Sequence, residues 1–159
     1  MTLEIKNLNV SIGNIPILRD VSLTVPSGQM FGLIGHNGAG KTTLMRAIMG
    51  LLEADDGSIT FDGKDLRKTA DFGRAKGGIS YMPEDRRLIP SLTVEENILL
   101  PAWANGIADA RERLEWVYDL LPEIAQFRAR RALQLSGGQQ KLVALGRALM
   151  PGRKLLLLD

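Results

Sequence analysis

Apolar and polar residues alternate through the first part of the chain, which is typical of strands that bury one face. The alternation is clearest at positions 3–10, LEIKNLNV, and at 21–25, VSLTV. A third short segment, SITF at 58–61, lies between Asp-Gly pairs at 56–57 and 62–63. Because Asp-Gly is a strong hairpin signal, we expect these segments to form antiparallel strands.

Apolar runs predict three more strands. Positions 30–34, MFGLI, are mostly apolar and of strand length, and 77–83, GGISYMP, predicts a strand that ends at Pro83. The run LLLL at 155–158 stops at Asp159. A run without polar interruptions favours a strand that is buried on both faces of a parallel sheet.

A helical pattern replaces the strands between Thr93 and about Met150. Thr93 is followed three residues later by Glu96, which predicts a capping box at the start of a helix. Within 110–121 the apolar residues fall on one helix face. The predicted interruptions are Pro101, the Asn-Gly pair at 105–106, and Pro122.

The segment 35–42, GHNGAGKT, fits the P-loop pattern G-x-x-x-x-G-K-[ST]. Its glycines allow the backbone to turn tightly, so that successive N–H groups form a concave site for phosphate. Lys41 adds a positive charge, and the Thr42 hydroxyl is suited to bind Mg²⁺. The run at 30–34 before the loop and the helical pattern at 43–49 after it supply the required strand and helix. We therefore predict a site for nucleotide phosphates here.

A second glycine-containing segment, LSGGQ at 135–139, opens a helical pattern that continues through Leu149. Ser136 fits an N-cap, and Gly137 and Gly138 permit an anion to approach the helix N-terminus. Taken alone, the pentapeptide fits an ordinary helix cap with a flexible turn equally well.

The P-loop, LSGGQ and the Asp-terminated apolar strand, in this order, resemble the ATP-binding cassette (ABC) ATPases. In that family LSGGQ is the signature motif and the last strand is the Walker B strand. The resemblance implies an α/β fold with a RecA-like P-loop NTPase core, an N-terminal antiparallel β subdomain and an inserted helical subdomain, incomplete at the C-terminus. It divides the single domain 1–159 into 1–87 (β subdomain and P-loop core), 88–149 (helical subdomain with the signature) and 150–159 (Walker B strand).

The resemblance also implies a site for ATP and Mg²⁺. The metal would be bound by Thr42, Glu84 and Asp159, and the α-phosphate would lie near Thr43. The signature would contact the γ-phosphate of ATP held by a second ABC subunit, in a homo- or heterodimer that works with transmembrane permease subunits. The implied nucleotide-binding residues are Gly35, His36, Asn37, Gly38, Ala39, Gly40, Lys41, Thr42, Thr43, Ile12, Glu84, Ser136, Gly137, Gly138 and Gln139.

Two positions differ from the family pattern. The aromatic residue that usually stacks on adenine is replaced by Ile12, whose aliphatic side chain predicts weaker base selectivity; a place in the strand core is the alternative. The glutamine that usually reaches Mg²⁺ and the γ-phosphate is replaced by Glu84. Around it, PEDRR at 83–87 and LTVEEN at 92–97 resemble the ATPase subunits of branched-chain amino acid importers. In the family this segment adjoins the groove that receives a coupling helix of the membrane subunit.

In the family a water-activating glutamate directly follows the Walker B aspartate, and a switch histidine comes later. We therefore expect no catalytic residue within the 159 residues, and a truncated importer ATPase that binds nucleotide without useful hydrolysis. The alternatives are a non-transport ABC ATPase, such as a translation or repair factor, and a binding-only regulatory module.

Composition limits the partners and the cellular compartment that the sequence predicts. A net charge of +2 gives no argument for nucleic acid as a partner, and the absence of cysteine fits a reducing compartment. No stretch approaches the ~20 apolar residues that cross a bilayer. Together with the resemblance, this predicts a cytoplasmic protein at the inner face of the cell membrane, which it contacts only through partners.

Overall fold

The computed structural model describes residues 1–152 and 154–159. Arg153, which the predicted Walker B segment 150–159 includes, lies outside the described residues. The chain forms two compact units. The first contains residues 1–75 together with Asp159, and the second contains residues 76–158.

The first unit contains the predicted antiparallel sheet. Its strands are β1 (Leu3–Ile12), β2 (Ile15–Val25), β3 (Asp56–Phe61) and β4 (Lys64–Asp65), in the order β2-β1-β3-β4. All neighbouring strands run antiparallel, which confirms the prediction of an N-terminal antiparallel β subdomain.

A bulge in β1 explains why its apolar alternation changes phase. Leu3 and Ile5 are buried, and the next buried residues are Leu8 and Val10. Asn7 has a φ of 48°, in the left-handed region, and the register of β1 shifts across it in the pairing with β2 and in the pairing with β3. The extra residue at the bulge returns the later apolar side chains to the buried face.

The first unit also contains α1 (Lys41–Met49), and α2 (Asp71–Lys76) begins in it. A 3₁₀ turn, Leu66–Lys68, lies between β4 and α2. Leu44, Ala47 and Ile48 form the buried face of α1, as the helical spacing after the P-loop predicts.

The predicted strand at 30–34 is wrong. These residues have no regular structure, and the side chains of Met30 and Ile34 are almost fully exposed, at 101% and 97%. A strand needs a neighbour for its backbone N–H and C=O groups. Within residues 1–152 and 154–159, no strand pairs with this segment.

In the second unit, β5 (Ile79–Met82) and β6 (Leu155–Leu158) form a parallel pair. Their existence matches the sequence pattern, but the expected burial of β6 on both faces is wrong. Leu157 is buried, whereas Leu158 is 51% exposed. The physical reason is that β5 is the one strand that pairs with β6 in the part of the chain that is described.

The helices of the second unit are α3 (Val94–Asn105), α4 (Ala110–Leu120), α5 (Pro122–Ala125) and α6 (Gly137–Leu149), with a 3₁₀ turn at Ala132–Gln134. Their apolar faces meet in one core, which includes Val94, Ile98, Leu99, Ala102, Leu114, Val117, Tyr118, Ile124, Leu135, Val143 and Met150.

The start of α3 matches its prediction, but its expected interruption does not occur. Thr93 and Glu96 form the predicted capping box. Pro101 lies inside the helix, where it removes one backbone hydrogen bond. Burial of Ile98 and Ala102 on the core face of α3 offsets that loss, so the helix continues through the proline.

Candidate nucleotide-binding site

The P-loop leads directly into α1, with Gly40 as the N-cap residue. Gly40 has a φ of 91°, and a Cβ at this position would lie 2.6 Å from Leu18 Cδ2. Only glycine combines the left-handed backbone with this close approach to β2. The loop is therefore held against the sheet of the first unit at the point where the helix begins.

The loop presents free hydrogen-bond donors. Among the described residues, the backbone N–H groups of Gly38, Gly40 and Lys41 donate no hydrogen bond within the chain. Residues 35–39 are exposed. Free amides at the start of a helix, where the positive end of the helix dipole lies, are suited to bind an anion.

The charged side chain of the motif lies over the loop. Lys41 Nζ donates to the carbonyl oxygens of Gly35, at 2.7 Å, and of His36, at 2.9 Å. His36 Nδ1 lies 2.9 Å from the carbonyl oxygen of Asn37, so its ring packs on the loop itself. His36 occupies a variable position of the P-loop pattern, which predicts a spacer and not a general base, and this stays a prediction.

Thr42 and Asp159 meet although 117 positions separate them in the chain. The Thr42 hydroxyl donates to a carboxylate oxygen of Asp159 at 2.8 Å, and both residues belong to the first unit. A hydroxyl and a carboxylate oxygen are hard ligands that suit Mg²⁺. Thr43, the next residue, is buried, with 8% of its surface exposed.

The described residues contain no group of three or more His, Cys, Asp or Glu side chains that could hold a metal alone. This fits Mg²⁺ bound with a nucleotide, because that ion usually takes one or two protein ligands and completes its shell with phosphate oxygens and waters. Glu84 is exposed in the loop after β5, in the second unit.

Arg74 supports the far end of the P-loop helix. Arg74 is buried, with 7% of its surface exposed. Its guanidinium donates to the carbonyl oxygens of Ala47 and Ile48, at 2.8 and 2.7 Å. Burial lowers the pKa of Arg74, and the nearby carboxylates of Asp71 and Asp65 act in the opposite direction. Sequence reasoning missed this residue, since no local pattern distinguishes it from a surface arginine.

Ile12 lies at the exposed end of the β1–β2 hairpin. It is 47% exposed and pairs with Ile15, which is 66% exposed. The alternative that Ile12 belongs to the strand core is therefore wrong. Because Ile17 and Leu18 of the same β2 strand contact Gly40, the hairpin adjoins the P-loop. Sequence reasoning did not single out Ile15.

The LSGGQ segment caps α6 as its sequence predicts. The Ser136 hydroxyl accepts from the Gln139 amide at 3.3 Å, and Gln139 Oε1 accepts from the Ser136 amide at 2.9 Å. Gly137 and Gly138 are exposed. In the described structure, their two backbone N–H groups are not used by any hydrogen bond within the chain. The segment thus combines a formed helix cap with free amides.

No helix in the described part of the chain has the length and apolar character needed to span a bilayer.

Comparison with known proteins adds an independent line of evidence. The family model described as ABC transporter matches residues 18–159. The high-affinity branched-chain amino acid transport ATP-binding protein BraG of Pseudomonas aeruginosa is 38% identical over 99% of this chain and 67% of its own length. The lipopolysaccharide export system ATP-binding protein LptB of Haemophilus influenzae is 36% identical over 99% of this chain and 66% of its own.

Solved structures of ABC transporter ATP-binding proteins are also similar to this chain. The structure of an ATP-binding subunit of an ABC transporter has a TM-score of 0.85 and 31% identity, over 100% of this chain and 66% of that chain. The dimeric structure of a bacterial ABC transporter cassette has a TM-score of 0.86 and 27% identity, over 99% of this chain and 73% of that chain. The chain thus spans about two thirds of the length of the curated relatives that it matches.

Proposed function

Since the chain belongs to the ABC transporter ATP-binding family, we propose that it binds Mg-ATP and serves, in the whole protein, as the ATPase subunit of a transporter. One observation carries this proposal. The free amides of the P-loop, the Lys41 ammonium and the Thr42–Asp159 pair lie in one unit. Together they offer donors and positive charge to a polyphosphate and oxygen ligands to its metal.

ATP binding requires Lys41 to leave the loop carbonyls. Its Nζ donates to Gly35 O and His36 O, in the same loop as the free amides. A phosphate oxygen bound by those amides is a stronger partner for the ammonium than a neutral carbonyl, because the phosphate and the ammonium are both charged. The lysine is thus positioned to exchange two weak partners for the β- and γ-phosphates.

The metal would bind at the Thr42–Asp159 pair. The Thr42 hydroxyl would give up its hydrogen bond to Asp159 and offer an oxygen lone pair to Mg²⁺. The Asp159 carboxylate would hold the ion directly or through water. We also propose Glu84 as a ligand of Mg²⁺. The ion supplies charge neutralisation of the β- and γ-phosphates.

The signature segment would complete the site of a second ABC subunit. Its helix N-terminus offers free amides at Gly137 and Gly138, but residues 135–139 contain no lysine to hold a polyphosphate alone. A segment of this kind can add donors to a phosphate that is already bound elsewhere. The dimeric ABC cassette among the structural relatives supports such pairing. The pairing can be with a second copy or with a related subunit.

The adenine ring would lie on the exposed apolar tip of the hairpin. Ile12 and Ile15 offer van der Waals contact but neither an aromatic face nor a hydrogen bond to the base. We therefore propose weak discrimination between ATP and GTP. Equal binding of both nucleotides supports this assignment, and a preference of tenfold or more for ATP contradicts it.

We assign the transporter to import of branched-chain amino acids or related small solutes. The PEDRR and LTVEEN segments support this assignment, as does the similarity to BraG. The second candidate is export, favoured by the 36% identity to LptB. In either case the transmembrane permease subunits would bind the protein at the cytoplasmic face of the membrane. Copurification of the protein with its permease, followed by uptake and efflux assays in vesicles, distinguishes the two directions.

Fluorescence titration with a labelled ATP analogue tests the nucleotide site. Lys41→Ala should abolish binding, because it removes the positive charge over the P-loop. Lys68→Ala is the matched control, since Lys68 is an exposed lysine of the same unit and makes only a 3.7 Å surface ion pair with Asp65. Unchanged affinity in Lys41→Ala, with the circular dichroism spectrum of the parent, would refute the P-loop assignment.

A further inference from the structure

The loop that follows β5 has an unusual backbone. We call residues 83–87 the Glu84 loop. Arg86 and Arg87 have φ values of 60° and 49°, so two consecutive side-chain-bearing residues occupy the left-handed region. Such residues cost free energy unless their surroundings hold them. Local bonds from the Arg86 amide to Pro83 O, at 3.0 Å, and from the Arg87 amide to Asp85 O, at 2.6 Å, are one part of that support.

The other part comes from α6, the helix that begins at the signature segment. Arg147, in the last turn of α6, donates from Nη1 to the carbonyl oxygen of Arg87 at 2.6 Å. Its Nη2 donates to the carbonyl oxygen of Arg86. The guanidinium therefore fixes both peptide groups of the left-handed pair to the helix.

The Arg86 side chain returns the contact at the opposite end of α6. Its Nη1 donates to Gly137 O at 3.1 Å and to Gln140 Oε1 at 3.2 Å. Gln140 Nε2 in turn donates to Leu135 O and Ala132 O, both at 3.2 Å. These bonds join the Glu84 loop to the first turn of α6 and to the residues that lead into it.

The charge of Arg86 makes this contact informative. A cation beside a helix N-terminus is unfavourable with respect to the helix dipole. Two specific oxygens accept hydrogen bonds from the Arg86 guanidinium. These hydrogen bonds, and not the field of the helix dipole, account for the contact. The same guanidinium adds positive charge next to the free amides of Gly137 and Gly138, in a segment without a lysine.

We propose that Arg86 is a positioning residue for the signature segment: it holds the first turn of α6, and with it Ser136–Gln139, in register with the Glu84 loop. This inference rests on the proposed function, in which that segment completes the nucleotide site of a second subunit. Glu84 lies two residues before Arg86. The Arg86 contacts therefore join the part of the Glu84 loop that includes Glu84 to the first turn of α6.

Amide-resolved hydrogen exchange on the full protein tests the anchoring directly. Arg86→Ala should increase exchange of the amides of residues 139–141 by about tenfold, since a hydrogen bond from a charged group is lost. Exchange at 143–148, farther along α6, should stay unchanged. Arg86→Lys, which keeps the charge and one donor, should restore part of the protection.

Arg87→Ala is the matched control. The Arg87 side chain is 67% exposed and pairs with Asp85, while the carbonyl that Arg147 holds is retained in the variant. Its exchange at 139–141 should equal that of the parent. Equal exchange in Arg86→Ala and the parent, or a uniform increase along all of α6, would overturn the positioning role.

Two further measurements separate this inference from the proposed function. Arg86→Ala should weaken ATP-dependent self-association, followed by sedimentation, by about tenfold. It should leave the affinity of the protein's own P-loop for a labelled ATP analogue unchanged. A third outcome is that exchange responds as expected, while the parent protein neither self-associates in the presence of ATP nor pairs with a permease-bound subunit. That result supports the anchoring by Arg86 and refutes the composite site.

Discussion

Asn97 holds the segment before α3 together, and its replacement by alanine gives a sharp test of the structure. The residue is fully buried, at 0% exposure. Its Oδ1 accepts from the Ile89 amide at 2.8 Å, and its Nδ2 donates to the carbonyl oxygens of Ile89, Leu92 and Thr93, at 3.1, 3.2 and 2.9 Å. The change removes all four contacts at once.

The magnitude follows from which groups keep a partner. Ile89 O still accepts from the Leu92 amide, Leu92 O from the Ala132 amide, and Thr93 O from the backbone amide of residue 97. In the described structure, only the Ile89 N–H loses its sole acceptor. One orphaned donor, together with the lost side-chain bonds, gives an expected destabilisation of about 3 kcal/mol.

Urea unfolding followed by circular dichroism measures this effect. Asn105→Ala is the control on the same helix, because Asn105 donates one bond, to Pro101 O at 2.8 Å, and should cost about 1 kcal/mol or less. Equal losses of the free energy of unfolding in the two variants would contradict this role of Asn97. The family resemblance implies that residues 92–97 adjoin the groove for the permease, so Asn97→Ala should also weaken copurification of the permease.

Three further predictions concern single sites. Tyr118→Phe should raise the free energy of unfolding by about 1 kcal/mol, because the buried Tyr118 hydroxyl has no partner among the described residues; a loss of stability in thermal unfolding would contradict this. Burial, with a contribution from Glu95, raises the pKa of Tyr118 to about 12 from 10.0, so parent stability should fall as the pH rises from 10 towards 12, and the phenylalanine variant should lose less over that range. Gly50→Ala should cost about 2 kcal/mol in urea unfolding, since Gly50 has a φ of 75° and a Cβ there would lie 2.7 Å from Arg74 Cζ; a change below the measurement error would contradict the clash. Asp159→Asn should weaken the Mg²⁺ dependence of nucleotide binding without abolishing binding in EDTA, and equal Mg²⁺ dependence would remove Asp159 from the metal site.

Much of the fold could be predicted because the signals are local. The capping box of Thr93 and Glu96 and the cap at Ser136 depend on residues three positions apart, and both form as predicted. The alternating strands and the P-loop with its helix are local in the same sense. Helix α4, predicted at 110–121, is observed at Ala110–Leu120.

The errors share one cause. An apolar run at 30–34 and the run of β6 satisfy the local requirements of a strand, but pairing and burial depend on neighbours that lie far away in sequence. Pro101 is the converse case, because a local helix breaker is overruled by the packing of the face around it. Local pattern therefore does not decide whether an apolar run finds a strand partner or becomes covered.

The sequence by itself determined the chemistry of this protein: the glycines, lysine and threonine of the P-loop, the cap of the signature helix, and the aspartate after the last strand. Only the tertiary structure decided which of these groups act together. It brought Asp159 to 2.8 Å from Thr42, Arg74 to the end of α1, and Arg86 to the first turn of α6. The physical reason is that a side chain's partner is set by the packing of whole elements, which no pattern of neighbouring residues specifies.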